Sequence, residues 1–274
     1  MTDFLAALSV GPAAGLLALA GVSFLAGAVN AFAGGGTILT FPILAAILPA
    51  GPARLVTANA TSTIGLWPGT VAAAWAYRGE LVGQPPWAVW LMLPSLLGAL
   101  LGSTLVLVLP PSWFDACVPW LILTAAVAFA LQPQLARLAA PTPAGGDAPP
   151  LSRLILACLL QFGVAVYGGY FGAGIGIIML AALGVLGLGD IHRLNALKNL
   201  LAMTINGAAA GLFVAGSVLG SHLVSWPHAA IMAVAGVLGS SAGSHVARRL
   251  PARIVRRGVA LIGFALAAYY FLPR

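Results

Sequence analysis

Lysine is almost missing from this chain: Lys198 is the only one in 274 residues. Carboxylates are nearly as scarce, with Asp3, Glu80, Asp115, Asp147 and Asp190 the full set. Charged residues make up 6% of the sequence, where a soluble domain carries about a quarter. Against a hydrophobic fraction of 61% and a mean hydropathy of +1.05, so little charge excludes a water-soluble globular fold. No such fold could hide that much apolar surface, so the solvent must be lipid. Two cysteines, Cys117 and Cys158, lie in or beside apolar runs and read as packing residues, not as a disulfide or metal pair. His222, His228 and His245 are spread over separate loops and helix ends without metal-ligand spacing. No metal and no cofactor is therefore expected. An enzyme would need a metal or a nucleophile–base pair, and the lack of buried carboxylates and clustered histidines argues against one.

The net charge of +7 does not point to nucleic acid. The basic residues are scattered, except for Arg248, Arg249, Arg253, Arg256 and Arg257. That cluster reads as a cytoplasmic loop facing anionic headgroups. Arg54 and His192 fall at turns and read as interfacial. The N-terminus carries Asp3 and no Lys or Arg before its apolar run, so the positive region of a signal peptide is missing and the run is taken as the first membrane span.

What the chain has in quantity is continuous apolar sequence. The runs are about 15 to 25 residues long, which suits membrane helices and not the alternating ten-residue strands of a membrane barrel. Ten are expected: about 12–32, 37–48, 54–77, 87–109 and 113–131, then 152–170, 172–187, 191–216, 226–246 and 254–272. The third is interrupted by Trp67-Pro68-Gly69. Asp190 is placed to cap the eighth, after a turn formed with His192 and Arg193. Between the fifth and sixth, Pro133, Pro141, Pro143, Gly145, Gly146, Pro149 and Pro150 mark a linker. The organisation expected is a first membrane repeat over residues 1–132, a flexible linker over 133–150 and a second repeat over 151–274.

Each repeat has five apolar stretches, the second being short and opened by glycine. Five is odd, so the halves would have opposite orientations if all ten cross, an arrangement recurrent in transporters. With the Arg248–Arg257 loop inside and ten crossings, Arg78, Arg137, Arg153 and Arg193 also fall inside, and only Arg54 and Arg274 outside. The positive-inside rule thus favours ten crossings with both termini outside. The fold expected is an all-α polytopic membrane protein of ten segments, two of them short, in two inverted five-segment repeats.

The candidate site comes from two related stretches. Gly34-Gly35-Gly36 has its counterpart in Gly172-Ala173-Gly174-Ile175-Gly176, with Gly34 and Gly36 matched to Gly174 and Gly176. Asn59, followed by Thr61, Ser62 and Thr63, has its counterpart in Asn199, within Asn195-Ala196-Leu197-Lys198-Asn199. A helix that starts inside the membrane aims unpaired amides and a partial positive charge at whatever lies there, and glycine permits close approach. Lys198 would add a full charge, and Asn59, Asn199, Thr61, Ser62 and Thr63 further donors. The ligand these features suit is a small oxyanion. The bland readings are that the glycines only allow close helix packing, that Lys198 snorkels to the interface and that the hydroxyls bond their own helix. The alternate glycines of 172–176 also resemble part of a dinucleotide fingerprint, but no ribose-binding acid follows.

All five carboxylates fall at span ends or in loops, so the intramembrane acid usual in proton- or sodium-coupled carriers is absent. An anion leaving a cell with a negative interior gains about 2.3 kcal/mol per 100 mV, so export needs no coupling ion.

At Gly34-Gly35-Gly36 with Pro42, at Asn59-Ala60-Thr61-Ser62, and at Gly172 to Gly176 with Asn195 to Asn199, the chain resembles the TauE/SafE family, the sulfite-exporter type of anion permease. The likeness covers both halves and leaves out the central linker. It implies transport of sulfite, sulfonates or other small sulfur-containing anions across the bacterial inner membrane, without fixing substrate or direction. The function expected is export of sulfite or a small organosulfonate. Lys198, Asn199, Asn195, Asn59, Thr61 and Ser62 are the expected ligands, with backbone from Gly34, Gly35, Gly36, Gly174 and Gly176. Gly34–Gly36 and Trp67-Pro68-Gly69 are the candidate hinges. The alternatives are an uptake permease for thiosulfate or sulfoacetate driven by an ion gradient, and an intramembrane enzyme or assembly partner without transport. The partners expected are a small anion and the bilayer; a homo-oligomer is left open.

Overall fold

The computed structural model of the protein describes residues 12–32, 34–82, 86–138, 151–185, 191–246 and 252–272. Among these are ten α-helices and no strand. The first five are α1 (Pro12–Phe32), α2 (Thr37–Ile47), α3 (Arg54–Ala76), α4 (Met92–Val108) and α5 (Pro111–Leu138). The second five are α6 (Leu151–Tyr170), α7 (Ile175–Val185), α8 (Ile191–Gly216), α9 (Trp226–Val246) and α10 (Ala252–Phe271). Helix is the outcome to expect of apolar runs in lipid, where every backbone N–H and C=O must be paired within the segment.

Among the described residues, five helices are long and apolar enough to cross a membrane, within Ala13–Ala31, Ala88–Val108, Pro111–Leu131, Leu151–Tyr170 and Arg193–Ser221. The short second segment of each half is a helix of 11 residues. Such a helix rises only about 16 Å, roughly half the hydrocarbon thickness.

The packing is reciprocal between the halves. Helix α9 lies along α1 and α3, while α4 lies along α6 and α8. Helix α10 touches α2, while α5 touches α7, and α3 meets α8 as α5 meets α10. Each contact thus recurs with the roles of the halves exchanged. The two long seams are closed by small residues, as lipid-embedded interfaces require, because backbones must approach closely to gain dispersion contact. A Cβ on Gly27 or Gly239 of the α1–α9 seam would strike the backbone of Gly236 or Phe24 across it. On the α4–α6 seam a Cβ on Gly98 would stand 2.6 Å from the Phe162 carbonyl, and Gly102 and Gly169 are as tightly enclosed.

Several local expectations are corrected. Helix α3 is unbroken through Trp67-Pro68-Gly69. Pro68 removes one backbone bond, and the Thr70 hydroxyl supplies another by donating to the Trp67 carbonyl at 2.7 Å. Helix α5 runs through Pro133 to Leu138, six residues into the stretch read as linker, and 139–150 lie outside the described residues. His192 and Arg193 are in the first turn of α8, not in a turn before it. Asp190, its expected cap, and Gly187-Leu188-Gly189 lie outside the described residues, as do Arg248 and Arg249. Arg253, Arg256 and Arg257 belong to α10 and not to the preceding loop.

The core of the molecule binds the short helices in place. Phe41 of α2 stacks edge-on against Phe171 at 5.2 Å between ring centres and against Phe114 of α5 at 6.5 Å. Tyr170 packs on Phe114 at 5.4 Å, and Tyr270 of α10 on Phe41 at 6.3 Å. This aromatic cluster joins α2, α5, α10 and the turn between α6 and α7, and so fixes where both half-length helices begin.

Candidate functional site

The two glycine turns meet. Gly34, Gly35, Gly172 and Gly174 all have positive φ, at 75°, 99°, 78° and 72°. Only glycine takes that conformation without strain. Their backbones are also in contact: a Cβ on Gly34 would lie 2.6 Å from Gly176 Cα, and one on Gly35 would collide with the Gly174 amide nitrogen. The first positive-φ glycine of each turn and the first residue of each short helix stand 138 residues apart, Gly34 with Gly172 and Thr37 with Ile175. In this register Gly36 answers to Gly174, two positions from the match read in the sequence. The turns are held by side chains. Asn30 Oδ1 accepts from the Gly36 amide at 2.6 Å, and the Tyr167 hydroxyl lies 2.6 Å from the Ala173 carbonyl.

Beside the crossing is an internal cavity of about 20 Å³. A single ordered water needs about 10–15 Å³. Its ends are the starts of the short helices, with Gly34, Gly35 and Thr37 at one and Gly172 and Ile175 at the other. Its sides are two stripes of the same spacing: Thr63, Leu66 and Thr70 on α3, and Asn199, Ala202 and Asn206 on α8. Asn30, Ala73 and Lys198 complete the lining. Lys198 is 0% exposed. Its burial excludes the snorkelling alternative, because the chain would have to reach water to snorkel.

The polarity of this lining is one-sided. It contains the chain's single lysine and no carboxylate, and among the described residues neither Glu80 nor Asp115 is part of it. Asn30 has its carbonyl oxygen occupied by Gly36, which leaves its NH₂ as the remaining group. Asn199 gives one N–H to the Ala31 carbonyl at 3.3 Å and keeps a second. Asn206 offers another amide. The N-terminal ends of α2 and α7 add partial positive charge from their orphan N–H groups. Not every hydroxyl contributes. Thr63 donates to the Asn59 carbonyl at 2.9 Å and Thr70 to that of Trp67, so both face the cavity only as acceptors. Donors and positive charge collected in a lipid-shielded cavity of this size suit a small anion.

Of the residues read from the sequence, Lys198, Asn199, Thr63, Gly34, Gly35 and Gly172 line the cavity, Thr63 as an acceptor and not as the donor expected. Gly36, Gly174 and Gly176 shape the crossing without lining it. Asn59 is fully buried and donates from Nδ2 to the Tyr170 carbonyl at 2.9 Å. Thr61 accepts from the Ser225 amide at 3.0 Å and so anchors the start of α9. The Ser62 hydroxyl pairs with that of Thr40 at 2.7 Å and ties α3 to α2. Asn195 lies one turn before Asn199 on the same stripe. The Oδ1 atoms of both Asn59 and Asn195 are buried without a hydrogen-bond partner. A carbonyl oxygen accepts and does not donate, so these free ends have the wrong polarity for an anion. Asn30, Thr37, Thr70 and Asn206 line the cavity and were not read from the sequence. The signal that would have found Thr70 and Asn206 is the common spacing of polar residues along α3 and α8.

The family described as sulfite exporter TauE/SafE matches residues 19–270. The chain belongs to that family. A probable membrane transporter protein, ORF9, of Sinorhizobium sp is 31% identical over 258 residues, covering 89% of this chain and 88% of the relative. A probable membrane transporter protein of Haemophilus influenzae is 26% identical over 253 residues, covering 90% and 91%. No solved structure matches. As a TauE/SafE member with this helical architecture, the protein is a multi-pass membrane transporter, and the cavity at the crossing of its broken helices is the candidate substrate site.

Proposed function

We propose that the protein exports sulfite or a small organosulfonate across the bacterial inner membrane, through a midplane site between two inverted repeats of residues 1–132 and 151–274. The observation that carries this is Lys198, wholly buried at a cavity without carboxylates between the starts of two half-length helices. A small anionic cargo complements that charge, and the family name supplies the chemical class. Export follows from the energetics. An anion moving toward a positive exterior gains about 2.3 kcal/mol per 100 mV, and no intramembrane acid is present in the lining to carry a coupling proton. The chain is taken to act without catalysis and without a cofactor, and to have both termini outside. Flux of labelled sulfite from proteoliposomes, with and without an imposed potential, is the test. Potential-driven efflux needing no proton or sodium gradient is the expected result. Absence of sulfite flux under every gradient would move the substrate to other sulfonates or thiosulfate.

A second direction, coupled uptake of a related anion such as thiosulfate or sulfoacetate, draws support from one feature. The unpartnered buried carbonyl oxygens of Asn59 and Asn195 are the kind of group that takes a hard cation. Sodium-dependent uptake lost in Asn195→Leu, with thermal stability unchanged, would favour this reading over passive export.

A further inference from the structure

On the opposite side of α3 from the substrate cavity lies a second, open cavity of about 820 Å³. Pro68, Val71, Ala72, Trp75 and Ala76 of α3 form one wall, Val237, Ser241 and Ser244 of α9 the other, and Arg78 stands at the end. It arises from how the two helices diverge. They touch where Gly69 faces Gly236, a Cβ on Gly69 standing 2.9 Å from the Gly236 carbonyl. Beyond that point the cavity is lined by Trp75, Ala76 and Arg78 on one side and by Ser241 and Ser244 on the other.

The cavity has the polarity of a lipid. Its walls are mostly apolar along about two turns of α3, a rise of about 12 Å, close to the depth of one leaflet of a roughly 30 Å core. Its end is cationic and aromatic. The Arg78 guanidinium lies 4.5 Å from the centre of the Trp75 ring and donates from Nη1 to the Trp75 carbonyl at 2.8 Å. That bond uses one of five guanidinium N–H groups. Tryptophan and arginine are placed in this way at the headgroup level of membrane proteins. Ser241 and Ser244 add hydroxyls on the facing wall. Ser244 donates to the Ser240 carbonyl at 2.8 Å, which leaves its oxygen able to accept.

We infer that this groove is a binding site for one anionic phospholipid, with an acyl chain between α3 and α9 and the headgroup phosphate on Arg78. A second copy of the chain fits less well. A two-fold contact brings the same patch onto itself, and a concavity against a concavity leaves a void and sets Arg78 against Arg78. The inference is independent of what the carrier transports.

Native mass spectrometry of the detergent-purified protein, supplied with phosphatidylglycerol or phosphatidylcholine vesicle lipid, tests it. The wild type should retain one phosphatidylglycerol in preference to phosphatidylcholine. Arg78→Gln should lower phosphatidylglycerol retention about fivefold and abolish the preference, since one surface arginine contributes about 1 kcal/mol toward an anionic lipid. Arg78→Lys should restore most of it, and Val71→Trp, which fills the groove, should lower retention of both lipids. Equal retention of the two lipids by the wild type would overturn the inference. So would unchanged phosphatidylglycerol retention in Arg78→Gln, or a dimer that Val71→Trp dissociates.

Discussion

Asn59 and Asn199 make matching bonds across the molecule in opposite senses. Asn59, on α3 of the first half, donates to the carbonyl of Tyr170, the last residue of α6 in the second half. Asn199, on α8 of the second half, donates to the carbonyl of Ala31 near the end of α1 in the first. Each amide satisfies a carbonyl that the end of a helix leaves without an intrahelical partner. The two bonds tie each half to the point where the other half's helix breaks into its glycine turn.

Replacing either amide by leucine should therefore loosen the joint between halves. Asn59→Leu leaves the part-buried Tyr170 carbonyl without this bond, at a cost of about 1 kcal/mol. For a chain of this size that is a fall of a few degrees in melting temperature. Asn199→Leu breaks a longer bond, 3.3 Å against 2.9 Å, and should cost less. Thermal unfolding of the purified protein in detergent measures both. Two unchanged midpoints would show that the bonds do not hold the halves.

Lys198→Met should abolish transport while the protein still inserts and accumulates, because the thioether fits the volume and removes only the charge. Lys198→Arg should keep at most about a tenth of the activity, since the planar guanidinium is larger than a cavity of about 20 Å³ admits and is not equivalent to an ammonium. Counterflow of labelled substrate in proteoliposomes, normalised to inserted protein, gives the comparison. Near-normal transport by Lys198→Met would place the site elsewhere.

Gly34→Ala should prevent accumulation of folded protein. The new methyl would lie 2.6 Å from Gly176 Cα, in a backbone with φ of 75°. The left-handed conformation alone costs about 1–2 kcal/mol for a residue with a Cβ, before the clash is counted. Gly163→Ala and Gly211→Ala, where a Cβ meets nothing within 4 Å, should be silent. Fluorescence-detected size exclusion of tagged variants separates the two outcomes. Equal expression of all three would mean that the crossing is not close-packed in the membrane.

The two polar stripes of the cavity should respond differently. Thr70 already gives its proton to Trp67, so Thr70→Val removes no donor and should change the transport KM by less than about twofold. Asn206→Leu removes an amide from the lining and should raise KM about tenfold, the equivalent of one hydrogen bond to a charged group at about 1.4 kcal/mol. Concentration dependence of initial flux reads both. The reverse order of effects would mean that Thr70, not Asn206, faces the substrate.

How far the site was legible follows from its chemistry. Lys198 announced itself because a lone cation within an apolar run has few structural reasons to be there. Gly34 and Gly172 announced themselves as breaks. Thr61 and Ser62 looked like ligands, yet their hydroxyls are turned to Ser225 and Thr40. A hydroxyl that bonds a substrate and one that bonds a neighbouring helix have the same sequence signature. Asn30 was missed for the same reason: it sits within the first span, and only the fold brings it to the Gly36 amide.

By itself the sequence determined the class of molecule, the ten helical segments and the shortness of two of them. Those properties follow from local quantities, the length and continuity of apolar runs in a solvent that cannot hydrogen-bond the backbone. Tertiary structure alone decided which polar groups share a cavity, that α3 passes unbroken through Pro68, and that Gly34 and Gly35 lie against Gly176 and Gly174. The shared cavity and the glycine crossing depend on contacts between residues more than a hundred positions apart, and in lipid such contacts are chosen by close fit of small residues. Close fit leaves no periodic mark in the chain.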